Sequence, residues 1–100
     1  MNTDSTILQK ATNVVTRKIA GETLLVPIAG RISDLRRLFT LNPVGAFIWE
    51  AVDGVSPLAA LRAKLVEEFD VSAEQADRDL ADFVQNLSAV GMVVEVGDGR

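Results

Sequence analysis

An α+β domain is expected, with an N-terminal three-stranded antiparallel sheet followed by three helices, and three observations predict it. Residues 14 to 28, VVTRKIAGETLLVPI, hold two β-rich runs around a glycine-containing turn. From Asn42 onward the chain instead carries repeated helix-start signals ahead of apolar stripes at helical spacing. A length of 100 residues, 48% of them hydrophobic and 24% charged, suits one domain with its own core.

The elements follow in order. Residues 1 to 12 are polar with little periodicity and are read as a mobile arm before a domain spanning 13 to 96. Strands at 14 to 19 and 23 to 28 flank Ala20, Gly21 and Glu22 as a hairpin. Pro27 lacks a ladder donor, which suggests an edge near the end of the second strand. A loop, AGRISD (29 to 34), leads into a third strand, LRRLFTL (35 to 41). Alternation there puts Leu38 and Thr40 on one face and Arg37, Phe39 and Leu41 on the other.

Asn42 as N-cap with Pro43 at the first helical position opens a helix that runs to about residue 53 and stops at Gly54. Its apolar face is Val44, Phe47, Ile48, Ala51 and Val52, with Trp49 at the flank. Ser56 and Pro57 repeat the start signal for a second helix along Leu58, Leu61, Leu65 and Phe69. Ser72 with Gln75 reads as a capping box for a third helix, which Gly91 closes. Ala76, Leu80, Phe83, Val84, Leu87 and Val90 form its buried face. Met92 to Val96 can close the domain as a short strand before a frayed tail, 97 to 100.

Composition excludes much chemistry. The chain has no histidine and no cysteine. It therefore lacks an imidazole for acid–base work near neutral pH, a thiolate nucleophile, a disulfide and a zinc or iron–sulfur ligand set. No calcium-type D-x-D-x-D-G loop occurs, and no cofactor is called for. The polar start from Met1 to Asn13 does not read as a signal peptide, and no apolar run approaches a membrane span, so a cytoplasmic protein without a membrane partner is expected. Residues 1 to 48 hold six basic and three acidic side chains, whereas residues 49 to 100 hold four and eleven. The acidic half argues against a nucleic-acid partner.

The run LNPVGAFIWEAVDG (41 to 54), a following helix, and VEEFDVSAEQADRDLADFVQNLSAVGMV (66 to 93) carry a set of features in order. They are Leu41-Asn42, Gly45, Ile48-Trp49, Asp53-Gly54, the Phe69-Asp70-Val71 turn, then Asp79, Phe83, Leu87 and Gly91. In this the chain resembles the PqqD family, the winged helix-turn-helix proteins that act as recognition elements for ribosomally made, modified precursor peptides. The segment before Leu41 reads RISDLRRLFT, where the member dedicated to pyrroloquinoline quinone synthesis typically has a Pro-Glu-Gly-like stretch. The resemblance is thus to the family rather than to that pathway's member.

The resemblance implies a peptide-binding chaperone rather than an enzyme. Such proteins hold the leader segment of a precursor peptide as a strand added beside the third strand, against the third helix, and present it to a modifying enzyme, often of the radical-SAM type. A free strand edge suits this, because an extended peptide gains main-chain hydrogen bonds there. The candidate peptide-binding residues are Arg36, Arg37, Leu38, Phe39, Thr40 and Leu41 on the strand. On the third helix they are Asp79, Leu80, Phe83 and Asn86. Arg36 and Arg37 would pair with acidic leader residues, Leu38, Phe39, Leu80 and Phe83 would take apolar anchors, and Asp79 and Asn86 would meet polar groups.

Plainer readings stand beside these. Leu80, Phe83 and Leu87 have core spacing, Arg36 and Arg37 can protect a strand edge, Trp49 can be a partly buried anchor, and Asp77, Asp79 and Asp82 can be a solvated face. At the level of the whole protein, the alternatives are a structural adaptor that binds a partner through its helical face and a DNA-binding winged-helix regulator. A carboxylate-only enzyme using Glu50 and Asp53 or Glu67 and Asp70 is a further alternative. The free edge also suits a second copy of the chain, as a homodimer.

Overall fold

The two β-rich runs pair as the alternation requires. In the computed structural model, which describes residues 5–12, 14–27 and 39–97, the elements are β1 (Ile7–Lys10), β2 (Val14–Ile19), β3 (Glu22–Pro27), β4 (Phe39–Leu41), α1 (Pro43–Ala51), α2 (Leu58–Phe69), α3 (Ala73–Ala89) and β5 (Val93–Gly97). β2, β3 and β4 form an antiparallel sheet in that order, with Thr16 opposite Leu25 and Leu25 opposite Phe39. Ala20 and Gly21 both take positive φ, at 54° and 83°, the geometry of a two-residue turn that matches strand twist. β3 is central at Thr23, Leu24 and Leu25, which have β2 on one side and β4 on the other, and among the described residues Val26 and Pro27 pair with β2 alone, the edge near its end that Pro27 suggests. Pro27 lies beyond the three residues that β4 pairs, so its missing N–H interrupts no central ladder. Of the expected strand at 35 to 41, residues 39 to 41 are strand and 35 to 38 lie outside the described residues, as do the expected loop 29 to 34 and tail residues 98 to 100.

The reading of residues 1 to 12 as an arm needs correction at Ile7–Lys10. Ile7–Lys10 pair with β5 in a second, two-stranded sheet, and Leu8 is buried. Main-chain bonds fix this strand to the rest of the fold. Gly54 N–H donates to the Leu8 carbonyl at 3.0 Å, Leu58 N–H to that of Thr6 at 2.8 Å, and Ala11 N–H to that of Met92 at 2.9 Å.

The helices begin largely where their caps predict. Asn42 Oδ1 accepts from the Gly45 N–H at 2.7 Å, and Pro43 starts α1. α1 ends at Ala51, ahead of the expected 53, because Asp53 builds a turn of its own. Its Oδ1 accepts from the N–H groups of Ser56 and Val55 at 2.7 and 2.9 Å, and Oδ2 from the Ser56 hydroxyl at 2.9 Å. These bonds, the Ser56 N–H first, hold its pKa down to about 2. Ser56 is thereby committed to Asp53 and does not cap α2, whose N-cap is Pro57. Ser72 Oγ caps α3 by accepting from Gln75 N–H at 3.1 Å. The capping box is half-formed, since Gln75 Nε2 turns instead to Asp79 Oδ1 at 3.0 Å. α3 closes through Met92 N–H to Leu87 carbonyl and Gly91 N–H to Ser88 carbonyl, a Schellman arrangement.

The core draws on all of these elements. Leu25 from the sheet, Ile48 and Trp49 from α1, Leu61 and Leu65 from α2, Leu80, Phe83 and Leu87 from α3, and Val93 from β5 are buried together. Phe47 and Phe69 meet edge to face at 5.4 Å. Trp49, expected at the flank and partly buried, is only 2% exposed. Its indole N–H finds an acceptor on β2, and the Lys10 ammonium stands 5.2 Å from the ring centroid.

Candidate peptide-binding cleft

β4 is three residues long and has β3 on one side only, so its outer edge has no strand partner among the described residues. Strand alternation turns Leu41 and half-buried Phe39 toward the core and leaves Thr40 exposed. The start of α1 and one stripe of α3 stand across from this edge. Between them lies a cleft of about 270 Å³.

Each wall has a local cause. From α3 come Asp79, Asp82, Phe83, Asn86 and Leu87, which the helical repeat of 3.6 residues stacks on one side of the helix. Phe83 and Leu87 are buried and form floor, while Asp82 and Asn86 are exposed at the rim. From α1 come Val44, Gly45 and Ile48. Gly45 suits a close approach: a Cβ there would lie 3.2 Å from Asn42 Oδ1 and 3.3 Å from Leu41 Cδ2, tighter than ordinary van der Waals contact. Its absence lets the helix start pack directly on β4.

The cleft therefore joins an apolar floor to a backbone edge that is unpaired among the described residues, beneath a polar rim. Its described lining carries two carboxylates, Asp79 and Asp82, and no lysine or arginine. Such a site suits an extended chain, which uses main-chain bonds along the edge and seats alternate side chains on the floor. Among the described residues no group of three or more acidic side chains is placed to hold a metal ion. No described helix is long and apolar enough to cross a membrane.

Of the residues singled out from the sequence, Phe39, Thr40, Leu41, Asp79, Phe83 and Asn86 come together in this cleft. Leu80 does not. It is buried, and with Leu58 and Val84 it lines a separate cleft of about 530 Å³ on the other side of α3. One residue beyond Asp79 is a rotation of about 100° about the helix axis, which turns Leu80 away. Arg36, Arg37 and Leu38 lie outside the described residues. Sequence reasoning passed over Asn42, Val44, Gly45, Ile48, Asp82 and Leu87 as lining. The first four read as cap or packing residues, but Asp82 and Leu87 carry a usable signal, the helical stripe that also holds Asp79, Phe83 and Asn86.

Comparisons with known proteins bear on the same region. The family described as Coenzyme PQQ synthesis protein D (PqqD) matches residues 22–93, which include β3, β4 and all three helices. No curated protein matches the chain with significance. Among solved structures, TbiB1 in complex with the TbiA(beta) leader peptide superposes with a TM-score of 0.72 at 22% identity, covering 90% of this chain and 99% of TbiB1. The chain and TbiB1 share a fold.

Proposed function

Because the chain belongs to the PqqD family, we propose that it is a peptide-binding chaperone that holds the leader segment of a ribosomally made precursor peptide as a strand added to β4. The observation that carries this reading is the cleft itself: a strand edge without a strand partner among the described residues faces a helix across an apolar floor, with room of about 270 Å³. That TbiB1, which shares the fold, has been solved with a leader peptide supports it. On this reading Phe39, Thr40, Leu41, Asp79, Phe83 and Asn86 contact the peptide, and Arg36, Arg37 and Leu38, which lie outside the described residues, are further candidates for that contact. The fold is then a winged helix-turn-helix put to peptide recognition. The chain performs no chemistry and delivers the peptide to a cytoplasmic modifying enzyme of the radical-SAM or another type.

Two observations weigh on the alternatives. α3 exposes Glu74, Asp77 and Asp82 against Arg78, which repels phosphate and disfavours a DNA-binding role. The cleft of about 530 Å³ lined by Leu58, Leu80 and Val84 favours, as second reading, an adaptor that meets a partner through its helical face. A homodimer along β4 would compete with peptide for one edge.

The test is a ¹⁵N-edited NMR titration of the full chain with peptides encoded beside its gene. Saturable shifts centred on the amides of residues 39–41 and 79–87 are expected. Shifts confined to Leu58, Leu80 and Val84 on adding a partner enzyme, with none on adding peptide, would replace the chaperone by the adaptor.

A further inference from the structure

The proposed occupant gains most of its main-chain hydrogen bonds whatever its sequence, so selection must come from the side chains that face α3. Asp79, Asp82 and Asn86 form the polar rim on that side. Asp79 already accepts from Gln75. Asp82 is exposed and, among the described residues, has no ion-pair or hydrogen-bond partner, while the described lining offers no cation to balance it. An extended peptide repeats its same-face side chains every ~7 Å. The rise along α3 from Asp79 to Asn86 is ~10 Å. Two consecutive same-face side chains therefore fit along the rim, one over the Phe83 and Leu87 floor and the next beside the carboxylates.

We infer that the peptide held in this cleft carries a lysine or arginine two residues from an apolar anchor, and that Asp82, with Asp79 beside it, selects that cation. The inference rests on the peptide-binding reading above. It assigns Asp82 a specificity role and leaves Phe83 and Leu87 to anchor the apolar neighbour. A carboxylate or amide at the same peptide position is disfavoured, the first by repulsion and the second by the lost ion pair.

The experiment uses the full chain and three fluorescein-labelled synthetic peptides of twelve residues. Leucine and one variable residue alternate on one face, with serine and threonine on the other; the variable residue is lysine, glutamine or glutamate. By fluorescence anisotropy in 50 mM salt, the lysine peptide is expected to bind about five-fold more tightly than the glutamine peptide, the upper range for an exposed pair, with glutamate weakest. The spread narrows in 0.5 M salt. Asp82→Lys inverts the order, and because its site is exposed the variant keeps the wild-type circular dichroism. Equal binding of all three peptides, with shifts still centred on the amides of residues 39–41, overturns charge selection and leaves the peptide site standing. If none of the three shifts those amides, the cleft reading falls and the charge inference with it.

Discussion

The indole N–H of Trp49 donates to the Thr16 hydroxyl at 2.8 Å, tying the buried face of α1 to β2 across the sheet. Thr16→Val removes the acceptor while keeping the shape. A net loss of about 1 kcal/mol in urea unfolding is expected, the usual worth of one hydrogen bond. Trp49 is the chain's single tryptophan, so its emission reports the change directly. Unchanged stability and emission would mean that the bond does not persist in solution.

Leu8 is 1% exposed within β1. Leu8→Ala is expected to cost about 2–5 kcal/mol, as for other buried leucines cut to alanine. A detached arm would give almost no change, so a denaturant midpoint separates the two pictures.

The turn at Asp53 makes stability depend on pH in acid. Its carboxyl has a pKa of about 2 in the fold against an ordinary 3.8, so ionised Asp53 favours the folded state. That contribution is complete above about pH 4 and fades as the pH falls through 2. Asp53→Asn is therefore expected to lower the melting temperature at pH 6 and to lose its handicap toward pH 2. A constant handicap over that range would assign the effect to shape rather than charge.

Blocking the cleft should weaken binding without unfolding the chain. Asn86 is exposed on α3 and lines the cleft, so Asn86→Trp obstructs it from outside the core. Phe39→Asp places a charge on the floor. Each is expected to weaken leader-peptide binding about tenfold or more by calorimetry, with helical circular dichroism retained. Wild-type affinity in both variants would move the site elsewhere.

Much of the fold was legible because local signals announce it. Asn42-Pro43, Ser72 and Gly91 act within a few residues of themselves, and they mark α1 and both ends of α3. β1 was not legible, because four residues with one buried leucine resemble any polar segment until β5 is beside them. Ser56 misled for a related reason: Asp53, three residues earlier, competes successfully for it. At the cleft, strand alternation and the α3 stripe group Phe39, Leu41, Asp79, Phe83 and Asn86, and these five are among the residues that line it. Leu80 was placed there by nearness in sequence, which a helix does not preserve as nearness in space.

The pairing of β1 with β5 also bears on how the chain reaches its fold. Leu8 faces Glu95, so this sheet closes a loop that contains nearly the whole domain. The entropy of that closure must be met before the pairing contributes, whereas the β2–β3 hairpin and the helices form from near neighbours. β1 is thus expected to dock late, onto a partly assembled body, and to leave first when the protein opens. Hydrogen exchange would record this as faster exchange at the β1 and β5 amides than at those of α3.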